Sequence, residues 1–173
     1  MRKISHAENL VRQQQRRRLP RLPLTVVLNN IRSLHNVGSI LRTCDGVGVE
    51  KVWICGITGC PPNNQIHKTA LGAEDSVDWE YAEDILRVIA DCRACGEQIV
   101  VLEQTETSVA HDEFLPGKKV CLIIGNEVEG VQQEVADLGD ASVEIEMAGV
   151  KNSLNVAVAF GVVAYQLRTR MKS

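Results

Sequence analysis

Aromatic residues make up only 3 % of the chain, two each of Trp, Tyr and Phe, so the core must rest on Val, Ile, Leu and Ala. No hydrophobic run is long enough to cross a bilayer, which takes about 20 apolar residues in a helix. The N-terminal stretch MRKISHAENLVRQQQRRRLP lacks the apolar block of a secretory signal. Both absences lead us to expect a cytoplasmic protein. There is no GxGxxG, so a dinucleotide-binding fingerprint is excluded. No internal repeat and no linker divides the 173 residues, a length that suits one domain with an adequate core. The one candidate arm is residues 1–23, closed by Pro20 and Pro23, ahead of a domain over 24–173.

Cysteines also lack the spacing of a metal site. Cys44, Cys55, Cys60, Cys92, Cys95 and Cys121 are scattered through apolar segments, where buried free thiols are the default. Cys92 and Cys95 form a CxxC late in the helical stretch DILRVIADCRAC, and no second well-spaced pair accompanies it. No metal is expected.

What is present is a charge asymmetry and an alternating pattern. The formal net charge of −3 conceals seven Lys/Arg against one Glu in residues 1–21, and three more Lys/Arg in 168–173. The body between them carries nine basic and twenty-one acidic residues, a net of −12. Basic ends on an acidic body suit a polyanionic partner; a solvated arm with no partner is the plainer alternative. Apolar β-like runs at 24–28, 51–57, 98–104, 119–125 and 141–147 alternate with helical stretches at 36–49, near 82–95, at 131–138 and from about Ser153 to Arg170. Continuous apolar strands separated by helices indicate an α/β domain with a mostly parallel sheet. Ligands of such sheets sit at the carboxyl ends of the strands.

Three of those carboxyl-end loops are rich in Asn, Gly and Ser: NNIRSLHNVGSILR, GNEVEGV and KNSLNVAVA. In the first, a helical wheel gathers Val37, Ile40, Leu41, Cys44 and Val47 on one side, with Arg42 nearly opposite and Gly38 and Ser39 near it. Asn36 stands where an N-cap belongs, and Arg42 reads as a solvent-facing arginine or as part of a phosphate site at the helix start. In the second, Glu127 and Glu129 sit in a glycine-bounded turn, where a carboxylate caps a helix or takes part in chemistry. In the third, Ser153 reads as an N-cap and Asn155 as a first-turn residue; the helix that follows is apolar almost all round, which calls for burial on the sheet and against a second copy.

Taken in order, NNIRSLHNVGSILRT, IIGNEVEGV and NSLNVAVA, together with HKTALGAE, resemble the motifs of the SpoU (TrmH-type) RNA 2′-O-ribose methyltransferases of the SPOUT superfamily, over about residues 24–167. The resemblance implies an α/β fold with a trefoil knot at its carboxyl end, binding S-adenosylmethionine in a bent shape. It implies cofactor contacts from Leu102 or its neighbours, Gly125, Ile145 and Leu154. It implies an active site of Asn36, Arg42, Glu127, Ser153 and Asn155, completed across a homodimer, acting on the ribose of tRNA or rRNA. For Glu127, tying its loop to Asn36 and capping the helix at 131–138 is the favoured role. A catalytically silent RNA-binding module of the same fold is the alternative.

Overall fold

Both faces of the sheet are covered, which is why its strands carry almost no polar alternation. The computed structural model describes residues 1–16 and 19–172; Arg17 and Arg18 of the expected arm, and Ser173, lie outside the described residues. Among the described residues, seven strands form one sheet: β1 (Leu22–Asn29), β2 (Val49–Cys55), β3 (Trp79–Ala82), β4 (Gln98–Leu102), β5 (Val109–Ala110), β6 (Val120–Ile124) and β7 (Ala141–Glu144). Their order is β3-β2-β1-β6-β4-β7-β5, and neighbouring strands run parallel. Leu24, Val26 and Leu28 of β1 enter one core with α2 (Leu34–Val47) and α6 (Val156–Met171). Val27, Cys121 and Ile123 enter a second core beneath α4 (Ile85–Ala94).

The expected elements are present, with shifted bounds. The last helix begins at Val156, and α5 (Gln133–Ala136) is shorter than the 131–138 expectation. Three short elements gave no sequence signal: α3 (Asn64–Ala70), β3 and β5. Each spans seven residues or fewer, too short for a period to show. The arm contains a helix, α1 (His6–Arg16). Ser5 N–H donates to Glu8 Oε2 at 2.7 Å and Glu8 N–H to Ser5 Oγ at 3.3 Å, a reciprocal capping box.

The basic C-terminal residues are partly used within the fold. Arg168 donates to the Val47 carbonyl at the end of α2, and Arg170 donates to the Asp112 carbonyl. For Arg168, a cation against the last carbonyls of a helix is favourable; Arg170 instead ties α6 to the turn at Asp112, so both serve packing in addition to any polyanion. Among the described residues, no helix is long and apolar enough to cross a membrane.

Gly38 corrects the wheel. It is buried and faces α3, where an added Cβ would lie 2.1 Å from Thr69 Oγ1 and 2.3 Å from the Ile66 carbonyl oxygen. The close approach of α2 and α3 therefore requires glycine at this position. Gly38→Ala is expected to lower stability by about 1–3 kcal/mol through overpacking, outweighing the ~1 kcal/mol that alanine gains in helix propensity. Urea unfolding of the two proteins checks this; a more stable variant would show that propensity alone governs the site.

Candidate active site at the carboxyl edge of the sheet

A cleft of about 280 Å³ opens where β4, β6 and β7 end and the chain turns into α6. Leu102, Gly125, Ile145 and Leu154 line it, as do Glu127 and Ser153. Its walls thus come from three segments far apart in sequence that share one edge of the sheet.

The loop 125–131 is shaped by its glycines. A Cβ on Gly125 would lie 2.4 Å from the Gly130 carbonyl and from the Val131 nitrogen, so only glycine lets the chain fold back. Asn126 and Gly130 exchange both backbone hydrogen bonds, at 3.0 and 2.9 Å, and Gly130 takes a positive φ of 70°. The Asn126 carboxamide accepts from Val128 N–H and Glu129 N–H and donates to the Asn30 carbonyl. Glu103, at the end of β4, accepts from Val131 N–H at 2.9 Å. The loop is therefore held from both neighbouring strands.

Glu127 is fixed by three donors. Its carboxylate accepts from Arg32 N–H and Ser33 N–H, each at 3.0 Å, and from Asn36 Nδ2 at 2.9 Å. Partial burial opposes ionisation, but the bonds from Arg32, Asn36 and Ser33 prevail and hold the carboxyl below its ordinary value. The tie to Asn36 is as expected; the capped helix is different. Glu127 satisfies amides at the start of α2, while α5 has Gln132 at its N-cap with no side-chain bond. Glu129 is exposed.

Two further caps move. Ser33, not Asn36, is the N-cap of α2 and accepts from Asn36 N–H at 3.3 Å. Asn36 lies in the first turn, which frees its carboxamide to face Glu127. Asn155, not Ser153, is the N-cap of α6, accepting from Ala157 N–H and Val158 N–H. Asn155 Nδ2 also donates to Asn36 Oδ1 at 3.1 Å. Glu127, Asn36 and Asn155 thus form one chain of hydrogen bonds joining all three loops.

Arg42 is not part of that cluster. It lies on the exposed side of α2, outside the cleft, and makes no hydrogen bond or ion pair with the described residues. Sequence reasoning missed Glu103 as a named contact, and also Gln104, whose Nε2 donates to the Asn152 carbonyl at 2.7 Å. Their one signal was position, two polar residues directly after the run QIVVL at a strand's carboxyl end.

Because its folded pKa lies below the ordinary 4.5, ionised Glu127 adds stability that is full above that pH and is lost as pH falls through the folded value. Glu127→Gln is expected to lower stability by about 1 kcal/mol at pH 7, a modest figure because the group is solvent-exposed. The gap between the two proteins should close below pH 4.5 in a urea series. A gap independent of pH would show that the charge is not what holds the loop.

Comparison with known proteins places this geometry. A 31 % identical relative, the tRNA (guanosine(18)-2′-O)-methyltransferase of Aquifex aeolicus, aligns over 83 % of this chain and 67 % of its own. The enzyme of that name from Thermus thermophilus is 32 % identical over 91 % of this chain and 80 % of its own. A 23S rRNA (guanosine-2′-O-)-methyltransferase of Vibrio cholerae is 31 % identical over 86 % and 60 %. The chain spans about two thirds of the length of the Aquifex and Escherichia coli relatives. Among solved structures, an A. aeolicus TrmH/SpoU tRNA modifying enzyme superposes with a TM-score of 0.82 at 27 % identity, over 96 % of this chain and 84 % of that one. An AdoMet-bound rRNA methyltransferase from Sinorhizobium meliloti gives 0.80 at 28 %, over 90 % and 62 %. The model of the SpoU rRNA Methylase family matches residues 23–165, spanning all three loops joined by Glu127, Asn36 and Asn155, and the chain belongs to that family.

Proposed function

We propose that the protein is a cytoplasmic RNA methyltransferase that moves a methyl group from S-adenosylmethionine to a ribose 2′-hydroxyl of tRNA or rRNA. The observation that carries this reading is the Glu127–Asn36–Asn155 chain, which ties the three motif loops together beside the cleft that Glu127 lines. The relatives' named activities support it. The cleft fits the cofactor's mixed character: Leu102, Ile145 and Leu154 offer apolar contact, while the loop backbone around Gly125 supplies polar groups for adenine and ribose.

The cofactor's sulfonium supplies a methyl carbon with a good leaving group. An O–C bond forms at the 2′-oxygen as the S–C bond breaks, leaving S-adenosylhomocysteine, and the hydroxyl proton passes to the adjacent phosphate or to water. The chain's task is orientation and charge stabilisation. A guanidinium keeps its proton across the physiological range, so arginine is unsuited to act as a literal base here. We therefore assign Arg42 to holding the neighbouring phosphate as a cation. Ser153 positions the ribose; Glu127, Asn36 and Asn155 order the pocket.

Arg42 lies outside the cleft of its own chain, and Val158, Val162 and Tyr165 leave an apolar face of α6 exposed at 53 %, 38 % and 51 %. A homodimer through α6 accounts for both, with Arg42 of a second copy completing each pocket. A knotted carboxyl end is supported by the order of β6, β4 and β7 and by the bond from Gln104 to Asn152. The basic segment ahead of β1 acts as the arm that grips RNA; Leu22 and Pro23, expected in an arm of residues 1–23, belong instead to the first strand of the domain. A catalytically silent RNA-binding module is disfavoured by the formed cleft.

Two outcomes test this. Arg42→Ala should reduce labelled methyl transfer to RNA at least about 10²-fold while leaving S-adenosylmethionine affinity, measured by calorimetry, unchanged. Equal loss of both would make Arg42 a structural residue. Val158→Asp should give monomers in sedimentation; an intact dimer would place the interface elsewhere.

A further inference from the structure

The amino-terminal edge of the sheet, remote from the cleft, holds a second cluster. Cys92 lies on the inner face of α4, Cys121 on β6, and Glu97 in the turn between α4 and β4. Cys121 pairs in register with Thr25 of β1 and Ile99 of β4, so its thiol sits at the middle of the sheet beneath the helix. The two thiols are buried, at 5 % and 0 % exposure. Both Sγ atoms and a Glu97 carboxylate oxygen lie within 4.8 Å of one another. Glu97 Oε2 is sealed from solvent with no hydrogen bond of regular geometry, although the Thr25 hydroxyl and the Cys92 thiol lie close enough to favour the ionised carboxyl.

A buried carboxylate oxygen normally has a well-formed hydrogen bond, so one without it, set against two thiols, calls for an explanation. Two soft sulfurs and one oxygen are a donor set for zinc-class ions. The CxxC itself is not the ligand pair, because Cys95 is exposed at the helix end. We propose that Cys92, Glu97 and Cys121 form a structural site for one divalent ion of the zinc class, pinning α4 and its turn to the centre of the sheet.

Two S–H protons leave to solvent as two metal–sulfur bonds and one metal–oxygen bond form; nothing is oxidised or reduced. Water fills the fourth tetrahedral position. With metal–sulfur bonds of about 2.3 Å, the donors need to close by only about 1 Å. The partly exposed Glu97, beside the exposed Gly96 turn, is the entry side. The site is independent of methyl transfer, which the opposite edge carries.

The test uses the full chain, stripped with a chelator and titrated with Zn²⁺, then with Co²⁺ as a spectroscopic probe. One ion per chain, a sulfur-to-cobalt charge-transfer band and a raised thermal midpoint are expected. Cys121→Ser and Cys92→Ser should lose the band, while Cys60→Ser and Cys95→Ser keep it. Glu97→Gln leaves the buried thiols in place and remains decisive where the serine variants fail to fold; it should weaken Zn²⁺ binding at least about tenfold. No saturable binding by the unaltered chain, a band that survives in folded Cys121→Ser, or unchanged affinity in Glu97→Gln overturns the site.

Discussion

One carboxylate organises the functional edge of this molecule. Glu127 takes two backbone amides at the start of α2 and the side chain of Asn36, and Asn36 in turn accepts from Asn155. Without that chain, three loops rich in Asn, Gly and Ser would share an edge of the sheet without side-chain bonds from Glu127 to Asn36 and from Asn36 to Asn155. A negative charge facing amides at a helix start is favourable in itself, so the constraint agrees with the local electrostatics. The cleft is a consequence: its walls belong to β4, β6, the loop 125–131 and the approach to α6, which the chain of bonds holds in register.

The loop could not reach Asn36 without glycines at its two ends. Gly125 permits contact with Gly130 that any side chain would block, and Gly130 leaves room for the Glu103 carboxylate, where a Cβ would meet Oε2 at 2.1 Å. The same device recurs at Gly38, where the backbones of α2 and α3 approach closely. These are positions where an absent side chain shapes the site. The sheet beneath supplies rigidity, with two cores pressing on opposite faces.

Much of the architecture was legible. Short continuous apolar runs rich in β-branched residues, such as LTVVL and KVCLIIG, suit strands covered on both faces, and Gly-, Asn- and Ser-rich stretches at their carboxyl ends marked the functional edge. The caps were harder to read. Asn36 and Ser33 are both good capping residues three positions apart, and Ser153 competes with Asn155 in the same way. Local preference cannot choose between them; the choice follows from which carboxamide is needed to reach across to another loop. Gly38 was misplaced because a wheel assigns faces from side chains, and glycine has none to declare its partner.

By itself, the sequence determined the class of fold, the order of its main elements and the motifs that mark its family, because periodicity and turn chemistry are local. Tertiary structure alone decided that Glu127 serves α2, that Asn36 and Asn155 meet, that Arg42 stands apart from its own cleft, and that Cys92 lies beside Cys121 while Cys95 does not. These are meetings of residues 29 to 119 positions apart in the chain. They depend on which strands become neighbours, and no local preference records that.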